Sequence, residues 1–333
     1  MRMGIEICIS KSPGHGPGQE AAMPGAYAHI TLAFESMNPD AFDDLEIYET
    51  LIGELLANVG YVELGAISPD MPYLVGTGRN ASAIAWADRM HQGDVAARIG
   101  AGVEAVSQVP GEKKIKCLAW LLGFVEHIVF DVFLHPVVNL VAGGAYGPKT
   151  KEKHQECEKH QDVYIVNKKF KINDLSDAYV VRAVLQNIHG LGNNSAMDDD
   201  IKSVFDAMLR VGSPGLYAVN KPDIDRWYSN FVSKMKLQEG SDFLVSIGRH
   251  MDIGLVYPAF SAYDRQFVDS LPLPVGGQGH YYALFAEAKG LVLEHWKHVI
   301  CCVCSGEKFD ESLFDGWNLD IGTDGSGNLH FWS

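Results

Sequence analysis

Residues 117–141, CLAWLLGFVEHIVFDVFLHPVVNLV, decide how this chain is read. The run is apolar nearly all round, as a helix is when it passes through the middle of a protein and not along its surface. His127, Asp131 and His135 stand at its centre, and a buried ionised group there is costly unless something compensates it. On a helix of about 3.6 residues per turn, positions i, i+4 and i+8 drift by only about 40° per step, so the three side chains share one face. At a rise of roughly 1.5 Å per residue the first and last Cα lie about 12 Å apart, too far for comfortable binding of one ion. Two neighbouring metals with Asp131 midway fit better. Pro136 is expected to end or kink the helix and so turn His135 toward the second ion. Taken singly, each residue is more simply a hydrogen-bonded polar group of a core; the three together favour a metal. The stretch is also long enough to span a membrane, for which roughly 20 apolar residues suffice, but Glu126, His127, Asp131 and His135 at its centre argue against a span.

Composition sets the wider frame. A chain of 333 residues, 47% hydrophobic and 21% charged, is that of an ordinary soluble globular protein with ample core. Its net charge of −15 argues against nucleic acid or an anionic membrane surface as the main partner. A phosphate substrate stays compatible, because divalent ions reverse the local sign of a site. The start, MRMGIEICISKSPGHGPGQEAAMPG, lacks the long apolar core of a secretory signal. The cytoplasm is therefore favoured, with a secreted mature form whose leader was removed left open. Cys8, Cys117, Cys157, Cys301, Cys302 and Cys304 form no disulfide framework in a chain this long. The last three could bind a metal, but without a second Cys or His pair at suitable spacing they read as a packed helix end.

Taken in order, residues 1–25 are expected to form an irregular arm rich in Gly and Pro, and residues 26–333 a single helical domain. Helices are expected over Ala26 to Glu35, carrying His29, and over Asp40 to Asn58. Asp70 then stands between Pro69 and Met71-Pro72, whose rings fix a tight, non-helical turn suited to aiming a carboxylate; an Asx-turn or helix cap is the alternative. Residues 81–92 form a short helix ending near His91, which by itself reads as an exposed helix-end histidine. A helix from Asp94 to Val109 leads into the central one. The segment GGAYGPKTKEK is a solvated loop, and the helix after it places His154 and Glu158 at i and i+4, two ligands on one face. His160 faces away from that pair and reads as surface. Further helices are expected over Val180 to His189, Asp198 to Val211, Asp223 to Leu237 and Tyr281 to Val303, with the acidic run from Asp198 to Asp200 as a charged helix start. The final GWNLDIGTDGSGNLHFW is expected to be a hairpin or an irregular tail.

The candidates collected along the chain are His29, Asp70, His91, His127, Asp131, His135, His154 and Glu158. Five histidines and three carboxylates, with no thiolate needed, suit zinc in a hydrolytic site. Clustered metals about 3.5–4 Å apart can bind both oxygens of a phosphodiester and lower the pKa of a bound water. His29, the P-D pair at Asp70, His91, H-x3-D-x3-H at residues 127, 131 and 135, and H-x3-E at 154 and 158 together resemble the zinc-dependent phospholipase C family. That family includes bacterial enzymes acting on phosphatidylcholine and, more distantly, the catalytic domain of glycosylphosphatidylinositol-specific phospholipase D. The resemblance is clearest over residues 26–165. It implies an all-α fold, like that of P1 nuclease, around a buried cluster of two zinc ions. One ion would be held by Asp70, His91, His127 and Asp131, the other by His135, His154 and Glu158, with Asp70 also serving as general base. The implied activity is hydrolysis of a phosphodiester, phospholipid or other, by metal-activated water.

Two departures from the family stand out. Secreted members hold a third zinc with an N-terminal Trp, a His matching His29 and the shared Asp131. The first Trp here is Trp86, so that site is incomplete unless water replaces the terminus. The chain also lacks the look of a secreted protein, which weakens the inference to an outer-membrane lipid. Two alternatives remain: a single-strand nuclease or nucleotidase, which carries Asp where Glu158 stands, and a non-catalytic scaffold whose metals only tie helices together.

Overall fold

The computed structural model describes residues 25–38, 49–75, 80–175, 196–237 and 257–332. Eleven α-helices lie among them: α1 Ala26–Ser36, α2 Glu49–Leu56, α3 Val59–Ile67, α4 Ala81–Gln92, α5 Val95–Ser107, α6 Glu112–Ala142, α7 Lys151–Phe170, α8 Asp199–Gly212, α9 Pro214–Val219, α10 Ile224–Leu237 and α11 Tyr281–Ile300. The one sheet among the described residues is a two-residue antiparallel pair, β1 Leu271–Pro272 with β2 Gln278–Gly279. The protein is all-α, as its sequence predicts. The expected arm, apart from Gly25, and the expected helix over Val180 to His189 fall outside the described residues. So do residues 40–48 of the expected second helix, whose described part is α2. The stretch before Asp70 carries α3, a helix the sequence reading passes over.

Helix α6 is the axis. Helices α1, α2, α3, α5, α7, α8 and α11 all touch it, and from Cys117 to Leu134 every side chain is buried. It is long and apolar enough to cross a membrane by length and composition, yet its most apolar 18-residue window is wholly covered by the protein itself. Burying each large apolar side chain contributes about 1.5–3 kcal/mol, so Trp120, Phe124, Phe130 and Phe133 weigh heavily in this packing.

Helix α3 comes closest, through paired glycines. A Cβ on Gly65 would lie 2.0 Å from the Trp120 carbonyl oxygen, and one on Gly123 would lie 1.9 Å from that of Val62. Only glycine admits backbones this near. The approach also brings the Ala66 carbonyl within reach of a side chain on α6, described below.

Pro136 does not end the helix. It sits inside α6, which runs on to Ala142 and closes on Gly143 at φ 90°. Proline removes the N–H that would meet the Val132 carbonyl. That carbonyl instead faces Gly322 of the C-terminal tail, where an added Cβ would lie 2.5 Å from Val132 O and 2.3 Å from Pro136 Cγ. A gap in the helix ladder has become a docking point.

The tail itself, expected as a hairpin or an irregular stretch, is irregular, with isolated bridges of Asn318 to Thr323 and of Thr323 to Leu329. Trp332 stacks on Phe133 at 5.1 Å and donates its indole N–H to the Phe133 carbonyl. The acidic start of α8 is a helix cap: Asp198 accepts from Asp200 and Ile201 N–H, and Lys116 Nζ lies 2.8 Å from Asp198 and 2.7 Å from Asp200. Cys301, Cys302 and Cys304 form the π-helical turn Cys301–Ser305 that ends α11, with Cys302 buried beside His298.

Candidate metal centre

Four segments bring their polar residues to one face of α6. Helix α3 delivers the turn Ser68-Pro69-Asp70, which α4 and α10 hold by packing on the 3-10 helix Met71–Leu74. Asp70 occupies the start of that 3-10 helix but makes no side-chain cap, so the cap reading fails and its carboxylate is free to point at α4. There Asp70 Oδ1 meets His91 Nε2 at 3.2 Å. His91, read from sequence as an exposed helix end, is buried, and Leu319 N–H of the tail donates to its backbone carbonyl.

Asp131 lies at the centre. Its Oδ1 is 3.2 Å from His29 Nε2 and 3.6 Å from His135 Nε2, while its Oδ2 is 3.1 Å from His127 Nε2 and 3.7 Å from His91 Nε2. At the far end, Glu158 Oε1 lies 3.1 Å from His154 Nε2 and 3.5 Å from His135 Nε2. All eight sequence candidates therefore meet in one cluster. Within it, three sets bring their ligand atoms within 4.8 Å of one another and could hold a metal ion: His29 with His127 and Asp131, Asp70 with His91 and His127, and His135 with His154 and Glu158. His160 takes no part; it is half-buried, stacked on Phe267, and accepts from Asp264 N–H.

The tautomers follow from the backbone. Nδ1 of His91, His127 and His135 lies 2.9, 2.8 and 2.7 Å from the carbonyls of Ala87, Ala66 and Leu319. A carbonyl only accepts, so each Nδ1 carries the hydrogen, and it is Nε2 that faces the cluster, as a lone pair whenever the ring is neutral. His91 and His127 face each other through those atoms at 3.5 Å. Imidazole nitrogens facing carboxylate oxygens form a set that positive charge satisfies, whether protons on the rings or a metal cation. This is the pattern of metal-binding histidines whose outer nitrogen is tied to a carbonyl, and the donor set fits zinc.

Electrostatics point the same way. Burial disfavours charge on His91 and His135, but Asp70 outweighs it at the first and Asp131 at the second, pushing them up to about 10 and about 9. Burial likewise works against a charged Asp131, yet His135 and His127 hold it well below the usual carboxylate range. His127 lowers Asp70, and His154 lowers Glu158, against the same penalty. The cluster attracts positive charge.

Two carboxylates escaped the sequence reading. Asp162 accepts the amides of Gly25 and Ala28 at 3.0 and 2.7 Å and so anchors the start of α1, which places His29. Burial pushes it up to about 7. Its signal was available, since His154, Glu158 and Asp162 repeat the i, i+4, i+8 spacing of α6. Glu126, taken in the sequence only as an argument against a membrane span, lies 3.4 Å from His29 Nδ1. The Leu319 carbonyl had no signal, because every residue carries one.

Comparison with known proteins adds one finding. A family model described as zinc-dependent phospholipase C matches residues 28–214. Neither the curated proteins nor the solved structures hold a match to this chain. The matched segment exceeds half the chain and contains all eight cluster residues, and the chain belongs to the zinc-dependent phospholipase C family.

Proposed function

We propose that this protein, acting as one unit over residues 26–333, is a phospholipase C-type phosphodiesterase. The observation that carries the reading is the set of imidazole nitrogens and carboxylates converging on Asp131, inside the family-matched segment. Asp70, His91, His127 and Asp131 would hold one zinc, and His135, His154 and Glu158 a second. Zinc in such a site polarises a phosphoryl oxygen, neutralises its charge and acidifies water.

The protein's own groups supply the rest. Asp70 is held below the usual carboxylate range, so at neutral pH it is an anion ready to take a proton. Its side chain is 15% exposed, against 6% for Asp131. Asp70 therefore faces the approach to the cluster, where a general base must stand, while Asp131 is buried behind it as a bridge. His135 and Glu158, each 13% exposed, open the other end to the same approach. A structural zinc site is closed by four protein ligands, commonly thiolates; this cluster has no thiolate and is open at both ends, which favours hydrolysis over a scaffold. The net charge of −15 favours a lipid or small phosphodiester over single-stranded nucleic acid.

The test joins zinc content to hydrolysis of phosphatidylcholine, a phosphomonoester and single-stranded DNA. Zinc is expected with phosphatidylcholine cleavage, and Asp70→Asn should cut kcat by about 10²–10⁴-fold, the usual worth of a general base. A folded wild type without zinc, or an Asp70→Asn variant with full activity, would sink the reading; cleavage of DNA alone would replace it with the nuclease alternative.

A further inference from the structure

Of the outer nitrogens of the cluster histidines, that of His29 faces a charged group and has no hydrogen-bond partner among the described residues. His91, His127 and His135 give Nδ1 hydrogens to backbone carbonyls. His29 Nδ1 instead looks at a carboxylate, Glu126 Oε1 at 3.4 Å, while its Nε2 lies 3.2 Å from Asp131. Glu126 is fully buried, and neither of its oxygens has a hydrogen-bond partner among the described residues. It precedes His127 on α6, so its side chain leaves the helix about 100° round from the cluster face. From there it reaches the back of the His29 ring and not the front of the cluster. The ring is clamped on its other sides, stacked on His127 at 4.2 Å and edge-on to Phe130 at 5.1 Å.

A carboxylate behind an imidazole does two things that a carbonyl does less well. It fixes the hydrogen on the near nitrogen, and it raises the electron density on the far one. We infer that Glu126 is a positioning residue for His29: it holds the Nδ1 hydrogen and so presents the Nε2 lone pair, beside Asp131 and His127, to a third divalent cation. The inference rests on the zinc reading above. It also gives a physical role to a buried carboxylate that otherwise has no compensation.

The experiment counts zinc per chain in the wild type, His29→Ala, Glu126→Gln and Glu126→Asp, and titrates each ion against a chelator. Three ions are expected in the wild type. His29→Ala should lose one. Glu126→Gln should weaken that same ion by about 10–100-fold and leave the other two unchanged; Glu126→Asp should recover part of the loss. In the wild type, ¹⁵N NMR of the zinc-loaded protein should show the His29 hydrogen on Nδ1, a readout that needs no variant to fold. Unchanged zinc affinities in Glu126→Gln would overturn the inference, as would a His29 hydrogen on Nε2. Two ions in the wild type, both indifferent to His29→Ala, would overturn it while leaving the hydrolase intact, whereas a folded wild type with no zinc would remove both.

Discussion

At one end of the cluster, His91 and His127 donate their Nδ1 hydrogens to Ala87 and Ala66, a carbonyl of the same helix and one of the helix pressed against it. At the other end, His135 donates to Leu319, 184 residues further along the chain. His154, beside it, has no hydrogen-bond partner for Nδ1 among the described residues, and its ring packs edge-to-face with those of His135 and of Tyr146, a residue of an exposed loop. The first end is thus built into the helix packing, through the glycine contacts of α3 with α6. The second depends on a tail outside the matched family segment. The same residue types at similar distances can therefore differ in how securely they are held, and the difference lies in backbone that no ligand list records.

The largest effect should come from the residue that joins the two ends. Asp131→Ala removes a ligand of the first ion and, at the other end, the carboxylate oxygen 3.6 Å from His135 Nε2, so both should lose zinc. Activity should fall by more than the roughly 100-fold that marks the upper range for an outer-shell partner. Elemental analysis and turnover check this; loss of zinc from one end alone would show that the ends are independent. Next comes the tail. A side chain at Gly322 would collide with Pro136 and the Val132 carbonyl, lift residues 318–322 and remove the Leu319 acceptor. Gly322→Val should weaken zinc at the His135 end by about 10–100-fold and spare the other. Equal losses at both ends in a chelator titration would refute the division drawn here.

The smallest effect is in pH. In protein stripped of metal by a chelator, His135 is raised to about 9 and His91 to about 10, from 6.5. Both contributions are fully present below about pH 6.5 and are lost as pH rises through the folded values, the His135 end first. Calorimetry of the stripped protein should show the melting temperature falling between pH 7 and 10. The depressed Asp70 and Glu158 act oppositely, stabilising above the ordinary carboxylate range and losing that contribution in acid. Zinc-loaded protein should not lose stability over pH 7–9, because fewer protons then compete for the ligands. Parallel curves with and without zinc would contradict this account.

Much of this architecture was legible in the sequence because apolar spacing is a repeated signal. The run from Cys117 to Val141 announced a buried helix, and its i, i+4, i+8 polar residues announced a shared face. His154 and Glu158 were legible for the same reason. His91 was not, because one histidine at a helix end looks the same whether or not the fold buries it. Pro136 misled, since the cost of a missing N–H depends on what meets the freed carbonyl, and Gly322 is nearly two hundred residues away. Glu126 was visible but unassigned; its partner His29 lies on another helix.

The distance between His135 and Leu319 also has a meaning in time. At synthesis rates of about 5–20 residues per second, the carbonyl that steadies His135 is made ~10–40 s after the ring it serves. Ala66 and Ala87 are already in place when His127 emerges. A zinc ion meeting the growing chain would find one end furnished with its acceptors and the other with an imidazole still free to turn, so the order in which the ends fill is set by the order in which they are made.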